Sequence, residues 1–376
     1  MHQHWDPLKV CAVGTSYPPE FYDYIKNDKV RQVFYRIAEE TEEDYQLLIN
    51  KLKSFGVEII RSEIDPDFNI YFNGTMFVPP PMTPRDYTAM IGETWFTQRA
   101  ENLSNRWDVI KGSDWPPMPT NSTEFDNLPD FILNECREKF NIKSIDSLQK
   151  AVNLDNINNF VQQQGNKVVS GLHINSAMTT RIGKDLYFGT ESKHDDVELL
   201  QNKYAELFPD YRCHIVESEG HSDGAFCPVV PGLIVSLKDM PTYEQSFPGW
   251  EVIYLPNQSW ASVYPFLQLK EKNKGKWWVP GEELNEDFTN YVESWMQHWV
   301  GYVEETVFDV NMLVIDKKNV ICNNYNKQVF DAFDRYGITG HVINFRHRYF
   351  WDGGLHCITS DIHREGTRQD YFPERG

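Results

Sequence analysis

The sequence predicts an α/β protein, in which strands and helices alternate along 376 residues. Two observations favour this class. Short apolar runs typical of strands are followed by segments whose apolar residues recur at helical spacing. Gly or Pro stands at most of the joints between them. The sequence has no glycine-rich phosphate loop of either common type, so it does not support a nucleotide-binding fold.

The first half of the chain opens with a β-α-β unit. Apolar residues at helical spacing, such as Tyr45, Leu48 and Leu52, predict a helix that stops at Gly56. The predicted elements are a strand at 8–14, a helix at 39–55, strands at 57–60 and 88–91, a loop rich in Pro and Trp at 106–123, and two helices within 125–163.

The second half continues the alternation. Aromatic residues at helical spacing, including Tyr291, Trp295 and Trp299, predict a long amphipathic helix. The predicted strands are 168–174, 186–189, 214–217, 232–237, 250–255, 307–315, 320–322 and 342–345, and the predicted helices are 195–208, 288–306 and 328–336. Alternating apolar residues within 355–362 predict a short buried segment after the last of these strands.

Composition and charge exclude several classes of function. The formal charge of −19 argues against a nucleic-acid partner and is compatible with a cationic substrate, although solubility alone also explains it. The six cysteines are scattered, without a CxxC pair, which is typical of free thiols in a reducing compartment. The sequence shows neither a signal-peptide layout nor a membrane-spanning stretch, so we expect a soluble, cytoplasmic protein.

A glycine turn near the end of the sequence presents one cysteine. Gly353 and Gly354 allow the backbone to turn tightly, and Cys357 follows them beside His356. A cysteine at the end of such a turn is a candidate nucleophile. The alternative is a small apolar residue in a core, which is the commoner role of a lone cysteine.

Three other turns beside predicted strands carry candidate site residues. Asp86 lies in the first, His221 and Asp223 lie two positions apart in the second, and Asn175 lies in the third. Side chains two apart on an extended segment point to the same side, so His221 and Asp223 could act together. The alternative roles are a turn cap, a surface histidine and a turn residue. A metal site built from His221, Asp223 and Asp86 is conceivable, but its donors are sparse for zinc.

Seven motifs, spread from one end of the chain to the other, carry a family resemblance. They are Trp5-Asp6-Pro7-Leu8, Pro84-Arg85-Asp86, Gly183-Lys184-Asp185, Phe208-Pro209-Asp210-Tyr211-Arg212, His221-Ser222-Asp223, Pro231-Gly232-Leu233 and Gly353-Gly354-Leu355-His356-Cys357-Ile358-Thr359. In this order and spacing they resemble the glycine and inosamine amidinotransferases of the guanidine-modifying pentein superfamily. The resemblance implies a five-bladed α/β propeller with a pseudo-fivefold arrangement of ββαβ-type modules. It also implies a single catalytic domain over 1–376, with an enlarged segment at about 268–303.

The resemblance implies a chemistry as well, in which an amidino group moves from a guanidino donor, expected to be L-arginine, to an amine acceptor. Asp86 and Asp223 would grip the planar guanidinium, and Cys357 would attack its central carbon as the thiolate. His221 would give a proton to the departing amine and later remove one from the incoming nucleophile. A covalent amidino-cysteine implies ping-pong kinetics, and no metal or organic cofactor is required.

Two positions depart from the family pattern in ways that bear on catalysis and specificity. Asn175 stands where the family has an acid that orients the histidine. An amide can hold the imidazole tautomer but cannot stabilise an imidazolium by charge. Met240 stands where the family has an arginine that receives an amino-acid carboxylate, and Arg346 or Arg348 could take its place.

A third departure concerns the pocket. Glu304 and Glu305 stand where the family has a serine pair, and two acids there would favour a cationic amine. A solvated helix end explains the two residues equally well.

Two other functions remain open at this stage. One is a hydrolase of the same fold, similar to arginine or agmatine deiminase, in which water replaces the amine. The other is a catalytically impaired guanidine-binding protein. The sequence does not identify the acceptor, and it leaves open whether the chain forms a homo-oligomer.

Overall fold

A computed structural model describes residues 1–64, 80–97, 115–117, 119, 121–140, 154–172, 174–190, 196–218, 220–237, 243–255, 258, 279–282, 284–295 and 309–376. The strands are β1 (Leu8–Val13), β2 (Glu58–Arg61), β3 (Thr88–Ile91), β4 (Thr94–Thr97), β5 (Lys167–Ser170), β6 (Thr179–Ile182), β7 (Asp185–Gly189), β8 (Arg212–Val216), β9 (Phe226–Val230), β10 (Leu233–Ser236), β11 (Glu251–Tyr254), β12 (Leu313–Asp316), β13 (Asn319–Cys322), β14 (Thr339–Val342) and β15 (Thr359–Arg364). The helices are α1 (Asp28–Ser54), α2 (Ser122–Asp126), α3 (Asp130–Phe140), α4 (Asp155–Gln163), α5 (Val197–Leu207), α6 (Tyr243–Ser246), α7 (Glu286–Trp295), α8 (Lys327–Tyr336) and α9 (Arg348–Trp351). Single 3-10 turns lie at Pro19–Tyr22, Pro84–Asp86, Ser222–Gly224 and Pro373–Arg375.

The described strands form five sheets of three strands, and all five share one connection pattern. In each sheet the middle strand pairs antiparallel with one neighbour and parallel with the other, across a helical segment. The strand orders are β15-β1-β2, β3-β4-β5, β6-β7-β8, β9-β10-β11 and β12-β13-β14. A parallel pair needs such a crossover, whereas an antiparallel pair can be joined by a tight turn. This repetition confirms the predicted α/β class and its ββαβ-type modules.

One sheet joins the two ends of the sequence. Strand β1 pairs antiparallel with β15, with Val13 opposite Thr359, and parallel with β2. The pairing continues into the cysteine turn, because the Gly14 N–H donates to the Ile358 carbonyl at 2.9 Å. The first strand therefore fixes the backbone that carries Cys357.

Several strands missed by the sequence prediction are the hairpin partners of predicted ones. Strands β4, β6 and β9 each pair with a neighbour in sequence. Gly92 and Gly183 lie in two of these hairpin turns with φ of +60° and +65°, a backbone conformation that favours glycine. Residues 94–97, 179–182 and 226–230 are largely or wholly buried, so their side chains show little of the polar alternation that marks a half-exposed strand.

One predicted helix begins well before the position that the sequence indicated. Helix α1 begins at Asp28 instead of residue 39, and the Asn27 side chain accepts from the Lys29 N–H at its start. The extra turns bury Val30, Val33 and Phe34 in the core.

Helix α7 covers the start of the predicted 288–306 helix and contacts α1, with the Phe34 and Phe288 ring centres 5.4 Å apart. The rest of that helix, and most of the expected 268–303 segment, lie outside the described residues.

A buried ion cluster links separate parts of the chain behind the cysteine turn. Asp361 of β15 accepts hydrogen bonds from Arg85 at 2.8 Å, Arg181 at 2.7 Å and Arg364 at 2.8 Å. Burial alone would raise the pKa of Asp361, but the three guanidinium groups hold that pKa well below its usual value. Arg85 also donates from Nε to the carbonyls of His356 and Thr359, both at 2.8 Å. The Pro84–Asp86 turn and the cysteine turn are thereby held together.

Candidate active site

The cysteine turn lies between α9 and β15. Helix α9 ends where Asp352 adopts a left-handed conformation with φ of +51°. Cys357 is fully buried, and its Sγ accepts a hydrogen bond from Asn311 Nδ2 at 2.9 Å. The same sulfur lies 4.0 Å from Asp223 Oδ2. The structure therefore brings the predicted nucleophile and one of the two predicted acids together.

Asp223 reaches the sulfur from the Ser222–Gly224 turn between β8 and β9. Its backbone N–H donates to the Ala177 carbonyl at 3.3 Å, and its Oδ2 accepts from His356 Nδ1 at 2.7 Å. Burial alone would raise the pKa of Asp223, but the His356 hydrogen bond and nearby positive charges hold the pKa below its usual value. Burial and the Arg85 charge lower the pKa of His356, so the neutral imidazole donates and Asp223 remains ionised at neutral pH.

Asp86 and His221 form the second half of the cluster. His221 Nδ1 lies 3.8 Å from Asp86 Oδ1, and both side chains are about one quarter exposed or less. Burial raises the pKa of Asp86 to about 6, and the Asp223 charge adds to the rise, whereas His221 and a Thr83 hydrogen bond oppose it. Asp86, His221, Asp223 and Cys357 therefore belong to one electrostatic cluster.

Each of the two carboxylates has one buried oxygen that can still accept a hydrogen bond. Among the described residues, Asp86 Oδ1 and Asp223 Oδ1 are buried without a hydrogen-bond partner. A buried carboxylate oxygen without a donor is costly, so such oxygens indicate a position that a donor normally fills. Two such carboxylates in one cluster suit a planar cation that carries several N–H groups.

Asn175 occupies a turn next to this cluster. Its Oδ1 accepts from the Met178 N–H at 2.8 Å, which is the turn role left open by the sequence. The following residue, Ser176, donates its N–H to the carbonyls of Arg85 at 3.1 Å and Thr88 at 2.8 Å. The segment therefore lies against the Asp86 turn, while the orienting role of Asn175 toward His221 stays a prediction.

Of the remaining predicted site residues the structure describes Arg346, and it does not bring this residue into the cluster. Arg346 lies instead against α1, where its side chain pairs with Asp44 at 2.9 Å and Glu43 at 2.7 Å. With Glu40 at 3.7 Å, its guanidinium thus already has three carboxylate partners. Glu304 and Glu305 lie outside the described residues.

Two residues of the site were not singled out as functional in the sequence. His356 is visible beside the cysteine, but its pairing with Asp223 joins turns 133 residues apart. Asn311 lies between the apolar residues Val310 and Met312, with no motif of its own. It was therefore not distinguishable from a polar residue at the edge of a strand.

The described residues contain no group of three or more His, Cys, Asp or Glu side chains placed to hold a metal ion. In the same ranges, no helix has both the length and the apolar character needed to cross a membrane.

Comparison with known proteins gives relatives that align along the whole chain. Mitochondrial glycine amidinotransferase of Xenopus tropicalis is 22% identical over 404 aligned positions, covering 99% of this chain and 84% of the relative. Inosamine-phosphate amidinotransferase 1 of Streptomyces glaucescens is 20% identical, covering 99% of this chain and 98% of the relative. No protein-family model matches the chain.

The fold comparison agrees with these relatives. The structure of SxtG, an amidinotransferase of the saxitoxin biosynthetic pathway from Microseira wollei, superimposes with a TM-score of 0.59 at 15% identity and covers 99% of both chains. This likeness confirms the predicted pentein fold. Along nearly the whole chain, the sequence and the fold are therefore similar to those of amidinotransferases.

Proposed function

We propose that this protein transfers an amidino group from a guanidino donor, L-arginine, to an amine acceptor through a covalent amidino-Cys357 intermediate. The observation that carries the proposal is the contact of the Cys357 sulfur with Asp223, at 4.0 Å, beside the Asp86–His221 pair. The naming of full-length relatives as amidinotransferases supports the same class of reaction.

Donor binding follows from the charge of the cluster. Asp86 and Asp223 each have a buried oxygen able to accept an N–H of the guanidinium. The bound cation would lower the cost of holding two carboxylates close together, and it would place its central carbon near the sulfur. The same positive charge favours the ionised form of the Cys357 thiol.

The first half-reaction forms the carbon–sulfur bond. The Cys357 thiolate attacks the guanidinium carbon, and the bond between that carbon and the alkyl-bearing nitrogen of arginine breaks. His221, as imidazolium, gives a proton to this nitrogen, which leaves as the amine of ornithine. The products of this half-reaction are S-amidino-Cys357, neutral His221 and ornithine.

The second half-reaction reverses these roles. An acceptor amine attacks the amidino carbon while neutral His221 removes its proton, and the carbon–sulfur bond breaks to release the thiolate. If water attacks instead, the product is urea from this intermediate. In the deiminase-like reaction, by contrast, ammonia leaves first and citrulline follows.

The direct test is intact-mass spectrometry after incubation with L-arginine and no acceptor. We expect a mass gain of one amidino group together with release of ornithine, and neither in Cys357→Ser. A wild-type protein whose mass does not change, and which releases no ornithine, citrulline or ammonia, would contradict the proposal and favour the impaired guanidine-binding alternative.

The products then separate transfer from hydrolysis. Ornithine without citrulline or ammonia, followed by loss of the added mass when an amine is supplied, is the expected result. Citrulline and ammonia would instead assign the deiminase-like reaction. Asp86→Ala serves as the binding control, since it keeps Cys357 and His221 but removes one of the two carboxylates that hold the donor.

Other features of the proposal remain predictions. We propose that the protein acts in the cytoplasm on small molecules, without a nucleic-acid or membrane partner and without a metal or organic cofactor. We also propose that residues 1–376 form a single catalytic domain.

A further inference from the structure

The side chain of Asn311 contacts the cysteine turn at three points. Its Oδ1 accepts from the His356 N–H at 2.9 Å and from the Cys357 N–H at 3.3 Å. Its Nδ2 donates to Cys357 Sγ at 2.9 Å. Asn311 is fully buried, so water does not compete for these contacts.

These contacts determine which way the amide points. An amide oxygen accepts hydrogen bonds and an amide nitrogen donates them, so the end that faces two backbone N–H groups must be the oxygen. The NH2 group is then directed at the sulfur. A flipped amide would place its NH2 group against the two backbone N–H donors. It would also leave the sulfur facing the amide oxygen, which is an acceptor.

A donor directed at the sulfur matters because a negative carboxylate lies close to it. Asp223 Oδ2 lies 4.0 Å from Cys357 Sγ, and an anion at that distance disfavours the thiolate. A hydrogen-bond donor directed at the sulfur favours the ionised form, because a charged acceptor binds it more strongly than a neutral thiol does.

We propose that Asn311 is a further catalytic residue, whose amide N–H stabilises and orients the Cys357 thiolate while its oxygen holds the turn. The inference rests on the proposed role of Cys357 as the nucleophile. It assigns to Asn311, which lies just before β12, a function that the family resemblance did not supply.

A neighbouring asparagine provides a matched control. Asn323 Oδ1 accepts from the Leu355 N–H at 3.2 Å, and its Nδ2 donates to the Asn311 carbonyl at 2.7 Å. It supports the same turn from the residue that follows β13. In the described contacts, however, the Asn323 side chain does not bond to the sulfur.

The test measures the ionisation of Cys357 without any substrate. The rate of iodoacetamide alkylation is followed against pH in the wild type, Asn311→Ala, Asn311→Asp and Asn323→Ala, and the modified cysteine is identified by peptide mass mapping. Cys357→Ser supplies the background from the other five cysteines, all of which are buried. Circular dichroism and cooperative urea unfolding establish that each variant is folded.

We expect Asn311→Ala to raise the midpoint of the Cys357 alkylation profile by about one pH unit, which lowers the rate at neutral pH about tenfold. Asn311→Asp should raise the midpoint further. The aspartate keeps an acceptor for the two backbone N–H groups, but it places a carboxylate oxygen against the sulfur. Asn323→Ala should leave the midpoint unchanged.

Two results would overturn the inference. One is a folded Asn311 variant whose alkylation midpoint equals that of the wild type. If Asn311→Ala does not fold, the measurement is made on the isosteric variant Asn311→Asp. The other is an equal shift in Asn323→Ala, which would assign the effect to loosening of the turn. Failure of the proposed function is a separate result, because it would appear as a missing arginine adduct with these alkylation profiles intact.

Discussion

Asp86 should reduce the stability of the protein at neutral pH, although it serves the proposed donor site. Its folded-state pKa is raised to about 6 from an ordinary value of 3.8. The folded protein therefore binds a proton more tightly than the unfolded chain does. Between about pH 4 and pH 6 the folded state carries the extra proton, so this group makes stability fall as pH rises through that window and then level off.

The size of the effect follows from the same two values. A shift of about two pKa units corresponds to about 3 kcal/mol between the protonated and ionised forms. Asp86→Asn should recover up to about 3 kcal/mol of unfolding free energy at pH 7.5, because the amide never has to be ionised in the buried cluster. The same variant should lose most of its affinity for a guanidino donor.

Urea unfolding of the wild type and Asp86→Asn at a series of pH values from 4 to 8 is the assay. The stability advantage of the variant should be largest above pH 6 and vanish toward pH 4. Asp223→Asn is the matched control with the opposite sign, since the pKa of Asp223 is held below its usual value by His356. That variant should be less stable than the wild type at neutral pH. If Asp86→Asn is no more stable than the wild type at pH 7.5, ionised Asp86 does not destabilise the folded protein and the reasoning is refuted.

Three further outcomes follow from the same geometry. The kcat/KM for the guanidino donor should fall as pH drops through about 6, because protonated Asp86 no longer pairs with a cation; a profile that is flat down to pH 5 would contradict this. Gly354→Ala should lower the unfolding free energy by about 1–3 kcal/mol in urea, because an added Cβ would lie 2.4 Å from Asn311 Oδ1, and wild-type stability would refute the close approach. Arg85→Met should lower the same quantity by about 3–5 kcal/mol, because it removes one of the three guanidinium partners of buried Asp361 and the Nε donor to the His356 and Thr359 carbonyls, and a loss under 1 kcal/mol would argue against that role.

The fold was largely predictable because its elements follow simple periodicities. The β3 prediction at 88–91 agrees with the structure at both ends, and the helix predicted at 328–336 begins one residue earlier in α8. Strands buried on both faces were harder to detect. The β9 segment at 226–230 is buried throughout, so alternation of polar and apolar residues could not mark it.

The candidate site was only partly predictable, because its contacts join distant turns. Chemistry and motif pointed to Cys357, Asp223 and Asp86, whose residue types suit a cationic carbon. No local pattern, however, indicates that Asn311 reaches the sulfur from 46 residues away. Such a contact depends on how two modules pack against each other, and neither the composition nor the spacing of residues in the sequence predicts that packing.

The pairing of β1 with β15 has a consequence for how the protein acquires activity. Residues 8–13 must find residues 359–364 across nearly the entire sequence, and long-range pairing of this kind is slow relative to local hairpins and helices. Cys357, the proposed nucleophile, lies two residues before the second of these segments. Catalytic competence should therefore emerge at the end of refolding, after most helical signal has returned, so that turnover reports completion of the tertiary structure rather than formation of its parts.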